Sequence, residues 1–115
     1  MTRPERIKKE VEAKYPQTTK QFKAIQQIMY QLFILKQNDY GPSNIGLGVS
    51  VVEEDEDISK SLIGLSIRMN DKVSRLVNLT MNNKEPNNES INDTLVDIAN
   101  YAVMALIVKE RSWGK

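Results

Sequence analysis

The chain has 115 residues with no cysteine and no histidine. That length suits a single domain, and the missing residue types exclude disulfides, thiolate nucleophiles, cysteine-based zinc sites, histidine ligands and Ser-His-Asp triads. Lys plus Arg is 16 and Asp plus Glu is 15, a net charge of +1, too balanced for a basic nucleic-acid coat, so no duplex DNA partner is expected.

Pro4 fits the first turn of a helix, where its missing N–H costs nothing. This first, short helix is expected to run to Tyr15 and stop at Pro16. Thr18 or Thr19 then caps a second helix. Its apolar positions Phe22, Ile25, Ile28 or Met29, Leu32 and Leu35 recur at helical spacing, and Gly41-Pro42 ends it. Residues 41–50 hold three glycines and a proline and read as a loop. Gly46-Leu-Gly48 matches no phosphate-binding fingerprint and is at most a lid.

The run Glu53-Glu54-Asp55-Glu56-Asp57 suits a helix N-terminus, where acids meet the positive end of the dipole. The third helix is predicted over Asp57 to Asn82, with a core stripe of Ile58, Leu62, Leu65, Met69, Val73 and Leu76. Gly64 inside it marks a close approach of another helix or of a ligand. A polar loop with Pro86 follows. Ser90 with Asp93 opens a fourth helix in capping-box fashion. It runs to Arg111, with Ile91, Leu95, Ile98, Ala102 and Leu106 on one face. No segment alternates with period two. The expected architecture is all-α: a compact bundle of three long helices plus a short N-terminal one, forming one domain over residues 1–115.

The polar N-terminus lacks the apolar stretch of a signal peptide. No run approaches the ~18 apolar residues of a membrane span, so a cytoplasmic protein without a membrane partner is expected.

Two polar stripes carry the strongest chemical signal. On the third helix, Arg68, Asp71, Lys72 and Arg75 share a face. On the fourth, Asp93, Asp97, Asn100 and Met104 share another, with Tyr101 beside them. An antiparallel pairing about Pro86 sets Arg75 against Asp97, and Asp71 against Asn100 or Tyr101. Two readings stand. One is a polar network that fixes helix register; the other is a ligand pocket where cations and hydrogen-bonding groups converge. Lys36, Asp39, Tyr40 and Asn44 form a second group around the end of the second helix. Gly41 is there a helix stop; Lys36 suits a phosphate and Tyr40 a base. Glu53, Glu54 and Asp57 are either a solvated helix start or a Mg²⁺ site. Trp113 packs on the end of the bundle.

Lys36-x-x-Asp39-Tyr40-Gly41, Arg68-Met-Asn70-Asp71-Lys72-x-x-Arg75-Leu76 and Glu89-Ser90-x-x-Asp93-Thr94-x-x-Asp97-x-Ala99-Asn100-Tyr101 together resemble the type-one nucleotide modification-associated domain of bacteriophages and bacteria. The resemblance implies a role around nucleotides or modified bases. Asp93-Thr-Leu-Val-Asp97-Ile-Ala-Asn-Tyr is more distantly similar to the second metal helix of all-α nucleoside triphosphate pyrophosphohydrolases. Against that likeness, Arg68, Lys72 and Arg75 stand where a metal enzyme needs acids.

The expected function is therefore nucleotide or cyclic-nucleotide binding without hydrolysis and without a cofactor, in nucleotide modification or in sequestering an immune signal. In a phage-encoded protein this would take place in the host cytoplasm. Arg68, Lys72 and Arg75 would contact phosphates. Asp71, Asp93, Asp97 and Asn100 would orient the cations or read ribose and base edges, and Tyr40 or Tyr101 would stack. The alternatives are a Mg²⁺-dependent hydrolase using Glu53, Glu54, Asp57, Asp93 and Asp97, and a protein-binding subunit or inhibitor. Apolar surplus on the third and fourth helices predicts a homo-oligomer, most simply a dimer.

Overall fold

The structure is a computed structural model that describes residues 1–45 and 51–115. It is all-α, with three long helices and a short N-terminal one, as expected: α1 (Arg3–Lys14), α2 (Pro16–Tyr40), α3 (Asp55–Met81) and α4 (Ile91–Lys109), with a short 3₁₀ turn at Gly41–Ile45. Among the described residues there is no strand. The expected lid at Gly46-Leu-Gly48 lies outside them.

Local chemistry accounts for the helix ends. The Thr2 hydroxyl accepts from Glu5 N at 3.3 Å and caps α1. Pro16 does more than stop α1. It opens α2, since its fixed φ suits a first helical residue, so α2 starts ahead of the expected Thr18 or Thr19. Gly41, at φ +58°, turns the chain out of α2. Asp57 Oδ2 accepts from Glu53 N and Glu54 N at 3.0 and 3.1 Å, which starts α3 at Asp55 rather than at Asp57. At its far end Asn83 takes a left-handed φ of +48° and Lys84 N donates to Leu79 O at 3.0 Å. Asparagine tolerates that conformation better than most residues. Ser90 caps α4 by accepting from Asp93 N at 3.0 Å, as the capping pattern predicts. Arg111, at φ +58°, lies beyond α4, which ends at Lys109.

The contacts divide the chain into two units, Met1–Leu32 and Phe33–Lys115. In the first, no residue of α1 is buried, and Phe22, Ile25 and Ile28 of α2 are exposed. Lys23 pairs with Glu12 at 3.0 Å. Phe22, Ile25 and Ile28 lie on the predicted α2 stripe.

The second unit holds the core. Ile45, Val52, Leu65, Tyr101, Met104, Val108 and Trp113 are buried together, with Phe33, Ile58, Leu62 and Met69 packed against them. Fully burying a side chain such as Leu65 contributes roughly 1.5–3 kcal/mol. The α3 stripe is correct from Ile58 to Met69, but Val73 is exposed. On α4 the expected stripe is the wrong one: Leu95, Ala102 and Leu106 face outward. The buried face carries Thr94, Asp97, Asn100, Tyr101, Met104 and Val108. This helix is apolar nearly all round, so its polar groups, which need partners, select the inward face. Trp113 closes the end of the core. Its Nε1 donates to Pro42 O at 3.1 Å and its ring meets Phe33 edge-on at 6.2 Å.

By length and composition α4 would suffice to cross a membrane, although Asp93, Asp97 and Asn100 interrupt its apolar residues. Asp97 lies near its middle, where a charge in a spanning helix is costly.

Candidate functional site

The site lies along the α3–α4 interface and is built from side chains that α3 spaces on one face. Lys72 Nζ reaches Asp97 Oδ2 at 3.0 Å and Glu89 Oε2 at 2.7 Å. Lys36, from the last turns of α2, reaches the other oxygen of Asp97 at 2.7 Å. One turn along α3, Arg75 donates to the Thr94 hydroxyl and to the Glu89 carbonyl. Thr94 Oγ1 lies 3.0 Å from Glu89 Oε1 and 3.1 Å from Ser90 O. A hydroxyl has one proton, so it donates to one of these at a time.

In the other direction, the Arg68 guanidinium sits 5.9 Å from the centre of the Tyr101 ring and donates to Asn44 O at 3.1 Å. Asn44 is buried and donates to Gln37 Oε1 at 3.3 Å. Asn100 is also buried, and it is bonded.

The expected Arg75–Asp97 contact does not form. The pairs that face each other are Arg68 with Tyr101, Lys72 with Asp97, and Arg75 with Thr94. Each lies three residues along α4 from the partner that a pivot at Pro86 gives. Nearly one helical turn separates the two registers. Three polar matches along one seam outweigh the symmetry of a loop that is free to adjust.

The electrostatics are lopsided. Lys36 and Lys72 pair with the carboxylates Asp97 and Glu89, whereas Arg68 and Arg75 donate to backbone carbonyls and to the Thr94 hydroxyl. Burial pushes the Asp97 carboxyl up, but hydrogen bonds and charge from Lys36 and Lys72 outweigh it and hold the group below the usual carboxylate range. Burial likewise pushes Lys72 down, and its bonds to Glu89 and Asp97 more than reverse this. The Asp97 side chain is 6% exposed while those of Lys72 and Lys36 are 23% and 35% exposed. The acid is inside and the cations lie towards the solvent.

Of the residues singled out from sequence, Lys36, Asn44, Arg68, Lys72, Arg75, Asp97 and Tyr101 are brought into this linked arrangement. Asp39 and Tyr40 are exposed at the end of α2, and Asp71 and Asp93 are exposed on α3 and α4. Residue-by-residue reading missed Glu89, Thr94 and Gln37 as participants. The available signal was position: Glu89 precedes the cap Ser90, and Thr94 sits one turn into the helix.

The acids of the hydrolase alternative do not gather. Asp57 is held by the backbone N–H groups of Glu53 and Glu54, which keep its carboxyl below the usual range. Asp97 is paired beside Lys72, about 22 Å along α3 from Asp57 at 1.5 Å per residue. Among the described residues no group of three acids is placed to hold a metal ion.

A comparison with family models matches residues 36–108 to nucleotide modification associated domain 1. The matched stretch falls inside the second unit and includes every residue of the charged seam. Comparison with curated proteins and with solved structures gives no match.

Proposed function

The chain belongs to the nucleotide modification associated domain 1 family, and from that premise we propose that it binds a nucleotide or cyclic nucleotide without hydrolysing it. The observation that carries this reading is the cationic excess: four cations line one seam, Lys36 and Lys72 pair with its carboxylates Asp97 and Glu89, and Arg68 and Arg75 are held by neutral oxygens alone. A seam that only fixed helix register would need no cation beyond the two lysines that its carboxylates pair. A surplus held at the rim of a partly dry site favours an anion. Lys36 is the most exposed of the two lysines on Asp97, so it is the one a phosphate reaches first. Arg68 offers the remaining planar donors of its guanidinium. One face of Tyr101 is taken by Arg68, which leaves Tyr40, 63% exposed at the end of α2, as the ring for a base. The role in the cell is nucleotide modification or, in a phage-encoded protein, sequestration of a nucleotide signal in the host cytoplasm.

The test is a panel of mono-, di-, tri- and cyclic nucleotides in thermal denaturation, followed by mass spectrometry of the ligand recovered after denaturing the protein. A ligand at about 100 times its dissociation constant adds about 2.7 kcal/mol of stability. The expected result is stabilisation by a subset of the panel and recovery of that ligand intact with Mg²⁺ present. Release of pyrophosphate would favour the hydrolase reading instead. No stabilisation by any nucleotide would move the seam to a purely structural role.

A further inference from the structure

We infer, resting on the nucleotide reading for the class of ligand, that the Glu89 side chain occupies a phosphoryl subsite on the α3–α4 seam and turns out of it when a phosphate enters.

The two carboxylates of the seam are not equivalent. The Asp97 side chain projects from within α4, is 6% exposed and takes a lysine on each oxygen, Lys36 at 2.7 Å and Lys72 at 3.0 Å. Glu89 belongs to neither helix. It lies in the connection between α3 and α4, one residue ahead of the cap Ser90. Its side chain is 28% exposed and pairs with one lysine, Lys72, at 2.7 Å. A partly hydrated carboxylate on one cation exchanges far more cheaply than a buried one between two.

The groups around Glu89 are the donor set of an anion site. Its Oε2 accepts from Lys72 Nζ, and its Oε1 lies 3.0 Å from Thr94 Oγ1. Arg75 flanks them and is held by two neutral oxygens, the Thr94 hydroxyl and the Glu89 backbone carbonyl. Ammonium, guanidinium and hydroxyl thus converge from two helices on one small acid. A carboxylate offers two oxygens, and these meet Lys72 and Thr94. A terminal phosphoryl group offers three and carries more charge, so it satisfies the same two donors and leaves an oxygen for a further N–H of Arg75. The exchange needs little else to move. Arg75 keeps its bond to the Glu89 backbone while the side chain rotates about its own single bonds, and Asp97 keeps Lys72 in place. Every group named lies in the second unit.

Calorimetric titration of the full chain with pyrophosphate tests this, beside the nucleotide panel, on wild type, Glu89→Gln and Glu89→Ala. The alanine variant also removes the oxygen that a glutamine amide still presents to Thr94. Both variants are expected to bind pyrophosphate about tenfold more tightly than wild type, as for a site that its own acid fills about nine-tenths of the time. Glu85→Gln removes an exposed acid from the same connection and is expected to leave affinity unchanged, which separates displacement from a general gain in positive charge. In a Lys72→Met background the gain from Glu89→Gln should vanish. Circular dichroism checks that helix content is kept. Affinity in Glu89→Ala no tighter than wild type, an equal gain in Glu85→Gln, or a gain that persists without Lys72 would overturn the proposal. Tighter pyrophosphate binding in the Glu89 variants, with no nucleotide bound by any of the proteins, would support the subsite and overturn the nucleotide reading instead.

Discussion

Lys72 meets Asp97 across the α3–α4 interface at 3.0 Å. This contact sets the register of the two helices, and Lys36 completes it from α2 on the other oxygen. Structure and proposed function therefore share one carboxylate. Asp97 holds two cations in place, and those cations are the ones a phosphate would use.

Removing that carboxylate should destabilise the fold. Asp97→Ala leaves Lys36 and Lys72 facing each other without the acid between them. A fully buried pair broken on one side costs about 3–5 kcal/mol. The lysines keep part of their hydration, so about 1–3 kcal/mol is expected here. Urea denaturation measures it, and a midpoint equal to wild type would mean that the seam contributes nothing to register.

Asp97 also predicts an acid limb in stability. Its folded pKa is depressed, so its contribution is present above the unfolded value of about 3.9. As pH falls below that value the unfolded chain takes up the proton first, and the contribution is lost by the time pH passes the lower folded value. Asp97→Asn should flatten that part of the stability curve. Lys72 acts with the opposite sign: its raised pKa stabilises below about 10.4 and is lost as pH rises through the folded value.

Lys36→Ala and Arg68→Ala should each weaken nucleotide binding by about 1.5–3 kcal/mol, one charge-assisted hydrogen bond apiece. Neither side chain is in the apolar core, so helix content should be unchanged. Calorimetry with unaltered affinity in both variants would place the phosphates elsewhere.

Trp113→Ala should cost about 3–5 kcal/mol. Trp113 is 2% exposed and joins Phe33, Pro42 and the end of α4. It is the sole tryptophan of the chain, so loss of the far-ultraviolet helix signal is the readout for this variant. Wild-type tryptophan fluorescence meanwhile reports on the second unit alone.

Ser61→Ala should raise stability by about 1 kcal/mol. Ser61 is fully buried on α3, and its hydroxyl has no hydrogen-bond partner among the described residues. Replacing it removes a desolvated polar group and changes little volume. A destabilised variant would reveal a partner for that hydroxyl.

What the sequence determined by itself is local. Pro4 in a first helical turn, Ser90 as a cap, Gly41 as a stop and the apolar spacing of α3 all act within a few residues. They identify four helices and most of their ends without reference to the rest of the chain. The seam residues are legible as types for a similar reason: cations at helical spacing on α3 and acids on α4 must lie on faces. Which face α4 turns inward is not legible. Its apolar residues surround it, and only partners on α3 and α2 make the side with Thr94 and Asp97 the cheaper one to bury. Register escapes for the same reason. A loop midpoint is a geometric guess, whereas Lys72, Arg75 and Arg68 each choose a partner three residues away from it. Those choices depend on distances between elements far apart in the chain, and such distances exist only once the helices have packed.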